Sequence, residues 1–239
     1  MTSLQLLDLA LDLAFLPRCP ACDEDMPRRA ALCIRCQASL YELGPACPRC
    51  AEPAAMPRAA VCPRCRVNPP PFARTTSPYR YGGELALALR RLKLDRRPDI
   101  ARTLAPLFAE PLASASADID VAVPVPLSWK RMAARTFNQS EVLLAHARRG
   151  LALRCRPTLL RRVRDTASQA GKGLKARREN VVGAFVVPPR ARKRVSGQRV
   201  LLVDDIMTTG ATLAAAARAL RAAGAADVSC FAFARAEAA

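Results

Sequence analysis

Arg199-Val-Leu-Leu-Val-Asp-Asp-Ile-Met-Thr-Thr-Gly-Ala-Thr212 is the stretch that decides the fold of this chain. Residues 200–203 are an unbroken apolar run, the pattern of a strand buried on both faces of a parallel sheet. Asp204 and Asp205 stand at its carboxyl end. Thr208, Thr209, Gly210, Ala211 and Thr212 then lead into strong helix formers over 213–222, and the helix stops near Gly224. Two carboxylates thus meet a glycine-containing turn at a helix start, outside the end of a strand, where open α/β sheets bind ligands. Free backbone N–H groups and threonine hydroxyls in such a turn grip a phosphate, and Gly210 lets the backbone approach it closely. Adjacent carboxylates repel phosphate and must face something else; the hydroxyls of a ribose suit them. The stretch therefore fits a sugar phosphate, and it lacks the lysine of a P-loop.

The chain has 239 residues, room for one substantial domain and a small one, and just over half of them are apolar. Its net charge of +18 is unevenly placed. Residues 130–199 hold 19 basic and 3 acidic side chains, while 1–129 hold 16 and 13, and 200–239 hold 3 and 4. The middle block reads as a surface for anions. An arginine-rich, alanine-rich composition leaves a similar excess with no such role, and both readings stand at this point.

Residues 1–16 are leucine-rich but carry Asp8 and Asp12. They lack the basic start and uninterrupted apolar core of a secretory signal, and they are too short and too charged to span a bilayer. They are expected to form an amphipathic helix packed on this protein or on a partner. No later stretch reads as a transmembrane segment, and a cytoplasmic location is expected.

Residues 17–66 carry four Cys-x-x-Cys pairs: Cys19 and Cys22, Cys33 and Cys36, Cys47 and Cys50, Cys62 and Cys65. Two pairs supply the four thiolates of a tetrahedral zinc site, so the eight cysteines make two structural zinc sites. The sequential assignment, the first four on one zinc and the last four on the other, closes the shortest loops; crossed pairings also satisfy the spacing. A segment so poor in large apolar residues needs the metal to fold. Residues 67–75, with Asn68-Pro-Pro-Pro-Phe72, read as a linker, and 76–239 as the α/β domain.

Within that domain the periodicity predicts strands over 76–81, 119–123, 159–163, 184–187 and 227–234. It predicts helices over 84–94, from Pro98 to about residue 109, over 129–134 and over 140–149. Residues 188–197 read as an exposed basic connector. Trp129 is read as a core residue, with a platform for a nucleobase as the other reading.

Residues 200–212 resemble the phosphoribosyl-pyrophosphate (PRPP) signature of type I phosphoribosyltransferases. Ahead of it come Val123-Pro-Val-Pro-Leu127, Arg131, Arg135-Thr-Phe-Asn-Gln139, Thr166-x-x-Gln169, Arg177-x-x-Asn180 and Phe185, in this order. With the four cysteine pairs in front, the chain resembles the ComF family of competence-associated phosphoribosyltransferase-like proteins. Two positions depart from that pattern: Thr136 stands where the family usually has Gly, and Lys172 where it usually has Leu.

The resemblance implies an α/β fold, a type I phosphoribosyltransferase-like parallel sheet flanked by helices and preceded by a small double zinc ribbon with four cysteines per zinc. It implies that Asp204 and Asp205 hold the ribose hydroxyls and that Thr208, Thr209, Gly210, Ala211 and Thr212 cradle the 5′-phosphate. Pro124, Val125 and Pro126 would lie over the pyrophosphate, with Arg131 and Arg135 neutralising it. Gln139, Gln169, Arg177 and Asn180 belong to the family motifs, and 164–175 would form a flexible hood. Mg2+ would accompany PRPP. The expected role is DNA uptake in natural transformation, with single-stranded DNA held on the cytoplasmic side near the inner membrane. Competence helicase or uptake-channel proteins would be partners. An active phosphoribosyltransferase of nucleotide metabolism is the alternative.

Overall fold

The computed structural model describes residues 17–27, 30–53, 60–165 and 183–236. The helix expected over 1–16, the segment 166–182 and with it Gln169, Arg177 and Asn180 lie outside the described residues. The cysteine-rich part contributes α1 (Ile34–Ala38) and α2 (Pro63–Val67), followed by two strand fragments, β1 (Thr75–Thr76) and β2 (Tyr79–Arg80). Next come α3 (Gly83–Leu94), α4 (Asp99–Leu104), α5 (Pro106–Ala115), β3 (Val121–Pro124), α6 (Trp129–Arg135) and α7 (Gln139–Ala147). The chain closes with β4 (Arg161–Arg162), β5 (Phe185–Val186), α8 (Arg192–Val195), β6 (Arg199–Met207), α9 (Ala211–Ala222) and β7 (Asp227–Arg235).

The main sheet is parallel. β6 pairs β3 on one side and β7 on the other, and β1 and β2 both pair the far edge of β7. Val200, Leu201, Leu202 and Val203 are each 0% exposed, as a strand covered on both faces requires. Successive side chains go to opposite faces. Val200 and Leu202 join Val121, Val123, Cys230 and the apolar side of α9 in one core. Leu201 and Val203 join Phe231, Phe233 and the apolar sides of α3, α4, α5 and α7 in the other. Phe108 packs edge-on against Phe233, with ring centroids 4.7 Å apart.

The ribbons share these cores. Cys19, Cys33, Cys36 and Leu32 pack into the α3–α5 side, while Cys47, Cys50, Cys62 and Cys65 pack into the α9 side. The stretch 67–75 does more than connect. Phe72 is 2% exposed, Ala73 N–H donates to the Val228 carbonyl at 2.8 Å, and the Thr75 hydroxyl donates to the Arg49 carbonyl at 2.8 Å.

Several elements differ from the expectations above. The central strand does not end at residue 203: β6 continues to Met207, because β7 keeps pairing with it through Asp204↔Ala232, Ile206↔Ala234 and Met207↔Arg235. The helix expected from Pro98 is two helices, since Pro106 has no N–H to donate to the Arg102 carbonyl and starts α5 afresh. The strand expected over 159–163 shrinks to β4, which pairs antiparallel with β5 in a ribbon of its own. The connector over 188–197 is a helical turn that buries Ala191 and Val195 and leaves Arg190, Arg192, Lys193 and Arg194 exposed. Trp129 is not in the core; it is 70% exposed, because α6 buries none of its residues.

Candidate functional site

The cysteines form two groups. In each of the quartets Cys19, Cys22, Cys33, Cys36 and Cys47, Cys50, Cys62, Cys65 the sulfurs all lie within 4.8 Å of one another. A zinc with Zn–S bonds of about 2.3 Å places its four sulfurs roughly 3.8 Å apart. Cys22 and Cys33 Sγ are separated by 3.6 Å, and Cys50 and Cys62 Sγ by 3.7 Å, so both quartets fit a tetrahedral ion. The sequential assignment is the one the fold brings together.

The quartets repeat one design. In the first, Cys19 N–H donates to the Glu24 carbonyl at 2.8 Å, Asp23 takes φ of 63°, and Cys33 N–H points to Cys19 Sγ at 3.5 Å. In the second, Cys47 N–H donates to the Glu52 carbonyl at 3.0 Å, Ala51 takes φ of 52°, and Cys62 N–H points to Cys47 Sγ at 3.3 Å. Burial opposes ionisation of Cys19 and Cys47, yet the backbone amides aimed at them win and bring both thiols down to about 7. Burial and the neighbouring sulfurs push Cys36 and Cys65 up. A quartet of thiolates therefore needs a cation among them.

The second feature is a cleft of about 820 Å³ beyond the end of β3. β3 pairs β6 only as far as Pro124↔Val203, so the edge of β6 beyond Val203 is open where the acidic pair stands. Asp204, Asp205, Thr208 and Thr212 line the cleft from the β6–α9 side. Val125, Pro126, Arg131 and Arg135 line it as well. Val125 is seated by its N–H on the Val203 carbonyl at 2.8 Å and by the Asn138 side-chain amide, which donates to its carbonyl at 2.9 Å.

Asp204 Oδ1 accepts from the Ser140 hydroxyl at 3.3 Å and from Asp205 N–H at 3.0 Å, and Asp205 Oδ1 accepts from Ile206 N–H at 2.8 Å. Burial, then the neighbouring Asp205 charge, pushes the Asp204 carboxyl up to about 8. A cation or a hydroxyl donor beside Asp204 would favour its charged form. Arg135 is half-buried. Its guanidinium donates to Gln139 Oε1 at 3.0 Å, and burial lowers its pKa against the pull of Asp205 and Asp204.

The remaining expected residues take other places. Pro124 is buried at the end of β3, and Gln139 is 1% exposed behind Arg135. Thr209, Gly210 and Ala211 line a separate cavity of about 400 Å³ under the second ribbon. Gly210 has φ of 76°, in the left-handed region that favours glycine, and a Cβ there would have to displace the tip of the Met207 side chain, 2.6 Å away. Thr209 Oγ1 accepts from the N–H of Ala211, the first residue of α9, at 3.3 Å in a local turn.

Sequence reasoning missed three cations of the cleft: Lys93 at the end of α3, Lys130 at the start of α6 and Arg162 in β4. Lys130 and Arg162 fell inside the basic block, but no motif singled them out, and Lys93 comes from a helix distant in sequence. Arg235 was missed as well. The last residue of β7, it is 0% exposed. Its guanidinium donates to the carbonyls of Met207, Thr208 and Ala236 and pairs with Glu52 of the second ribbon. Arg64 also approaches Glu52, at 3.5 Å. One buried arginine thus ties the loop that carries Thr208 to the ribbon.

The family model of the phosphoribosyl transferase domain matches residues 140–239, and that of the double zinc ribbon domain matches residues 10–66. The chain is 34% identical over 202 residues to DNA utilization protein YhgH of Salmonella typhimurium, covering 82% of this chain and 87% of that protein. It is 29% identical over 210 residues to Competence protein F of Haemophilus influenzae, covering 86% and 90%. It is also 29% identical over 211 residues to Competence protein ComFC of Bacillus subtilis, covering 84% and 82%. Among the described residues no helix is long and apolar enough to cross a membrane. A parallel sheet ending in an acidic pair beside a threonine-rich turn, two all-cysteine quartets ahead of it, and relatives that align over most of their length lead to one conclusion: the chain belongs to the ComF family of phosphoribosyltransferase-like proteins with an N-terminal double zinc ribbon.

Proposed function

We propose that this protein binds PRPP with Mg2+ in the cleft above β6 and acts in DNA uptake or utilisation, holding single-stranded DNA on its basic surface on the cytoplasmic side of the membrane. The observation that carries the PRPP reading is that both signs of charge are gathered around one cleft. Asp204 and Asp205 line it together with Lys130, Arg131, Arg135 and Arg162. A ribose carrying phosphates is a ligand with that polarity: its hydroxyls are donors for the carboxylates and its diphosphate is an anion for the guanidinium groups. Thr208 and Thr212 then offer hydroxyls to the 5′-phosphate at the start of α9. A bound Mg2+ would neutralise the diphosphate and keep most of its water shell. The DNA part rests on the names of the relatives and on the net charge of +16 over residues 130–199.

A second reading, a transferase that passes the phosphoribosyl group to a nitrogen acceptor, draws on the same cations, because a site that holds diphosphate firmly also stabilises it as a leaving group. Calorimetry with Mg2+-PRPP tests the shared part. The wild type is expected to release heat on binding. Asp204→Asn combined with Asp205→Asn is expected to remove that heat while the melting temperature stays within a few degrees or rises, since the change relieves a like-charge pair. Equal PRPP affinity in both proteins would overturn the assignment. Pyrophosphate release over a panel of bases separates the transferase reading from binding alone.

A further inference from the structure

α6 holds its place in an unusual way. It has seven residues and buries none of them, whereas a helix this short ordinarily depends on an apolar face packed into the core. Its ends secure it instead. The buried Ser128 hydroxyl accepts from Arg131 N–H at 3.5 Å, and Thr136 N–H donates to the Met132 carbonyl at 2.7 Å. Lys130, Arg131 and Arg135 line the cleft. Trp129 and Met132, one turn apart, are left 70% and 37% exposed.

Trp129 is the only tryptophan of the chain, and core packing makes no use of most of its ring. Lys130 Nζ lies over that ring, 5.6 Å from its centroid, and also reaches Asp165 at 3.5 Å. The indole is thereby tied to the segment that carries the exposed Arg161 and Arg164. An exposed indole among cations is the arrangement by which proteins hold single-stranded nucleic acid: the bases stack on the ring and the phosphates meet the charges. With Met132 as the one other large apolar side chain exposed on the helix, α6 offers little of the broad apolar patch that a protein partner needs.

We propose that Trp129 is a stacking platform for a nucleobase of single-stranded DNA at the rim of the cleft, with Lys130, Arg161 and Arg164 taking the phosphates beside it. The proposal rests on the DNA reading above and adds to it the residue on which a base sits.

Because the chain has a single tryptophan, its emission reports this contact directly. Titration of the zinc-loaded full chain with a thymidine oligonucleotide at low salt is expected to quench the emission. A duplex, whose bases are already stacked inside, is expected to leave it nearly unchanged. Trp129→Ala is expected to weaken single-strand binding roughly five- to hundredfold by fluorescence anisotropy, and Trp129→Phe to keep most of the affinity. The slope of log affinity against log salt is expected to stay the same in Trp129→Ala, since no phosphate contact is removed. PRPP heat and melting temperature are also expected to be unchanged, because α6 buries nothing. Single-strand binding without quenching, equal quenching by duplex, or equal affinity in Trp129→Ala would overturn the platform and leave the DNA reading standing. A wild type that binds no oligonucleotide even at low salt would overturn both.

Discussion

Thr136 departs from the family pattern at a position where backbone geometry sets the residue type. It ends α6 with φ of 68°, in the left-handed region, where a β-branched side chain is strained and glycine is not. Its hydroxyl compensates in part by donating to the Arg135 carbonyl at 2.5 Å. Thr136→Gly is therefore expected to stabilise the protein by about 1 kcal/mol despite glycine's greater freedom in the unfolded chain. A higher urea midpoint at unchanged slope would show it, and a lower midpoint would mean that the hydroxyl contact outweighs the strain. The consequence reaches the site, because α6 carries Arg131 and Arg135.

At the scale of elements, the β6–α9 loop is controlled from behind. Arg235 comes from the end of β7, bonds the carbonyls of Met207 and Thr208, and meets Glu52 of the second ribbon. Arg235→Met would leave the Thr208 carbonyl without this donor, the Met207 carbonyl with Ala236 N–H alone, and Glu52 without its buried partner. It is expected to cost about 3 kcal/mol in urea unfolding of the zinc-loaded protein. Glu52→Gln keeps a polar acceptor beside Arg235, and Glu52 is partly exposed, so its cost should be nearer 1 kcal/mol. Equal losses from the two changes would show that the carbonyl contacts contribute little.

On the scale of the whole molecule, the ribbons are built into the sheet domain. The first quartet belongs to the core on the α3–α5 side and the second to the core on the α9 side, so each zinc site supports one face of the sheet. Elemental analysis is expected to find two zinc ions per chain, one in each quartet. Removing them with a chelator is expected to lower the melting temperature of the whole chain by more than about 10 °C in one transition, instead of melting a separate module. A stoichiometry near zero, or a second transition left at its original temperature after chelation, would overturn this account.

How much of the protein was legible beforehand depends on the range of the interactions involved. The sequence by itself determined the central strand, the acidic pair, the threonine-rich turn with Gly210 and the four cysteine pairs, because each rests on contacts within a few residues. Residues 200–203 read as buried because every one of them is apolar, and Gly210 reads as a turn residue because its left-handed backbone favours glycine. Only the tertiary structure decided the rest. β6 runs on to Met207 because β7 pairs with it there. Lys93 reaches the cleft from a distant helix, and Arg235 ties the β6–α9 loop to Glu52 across 183 positions of sequence. Trp129 reads as core by its chemistry and is exposed because α6 buries none of its residues. Local patterns report what a segment can bury; which segments meet is set by the packing of the whole chain, and the cations of the cleft are assembled at that level.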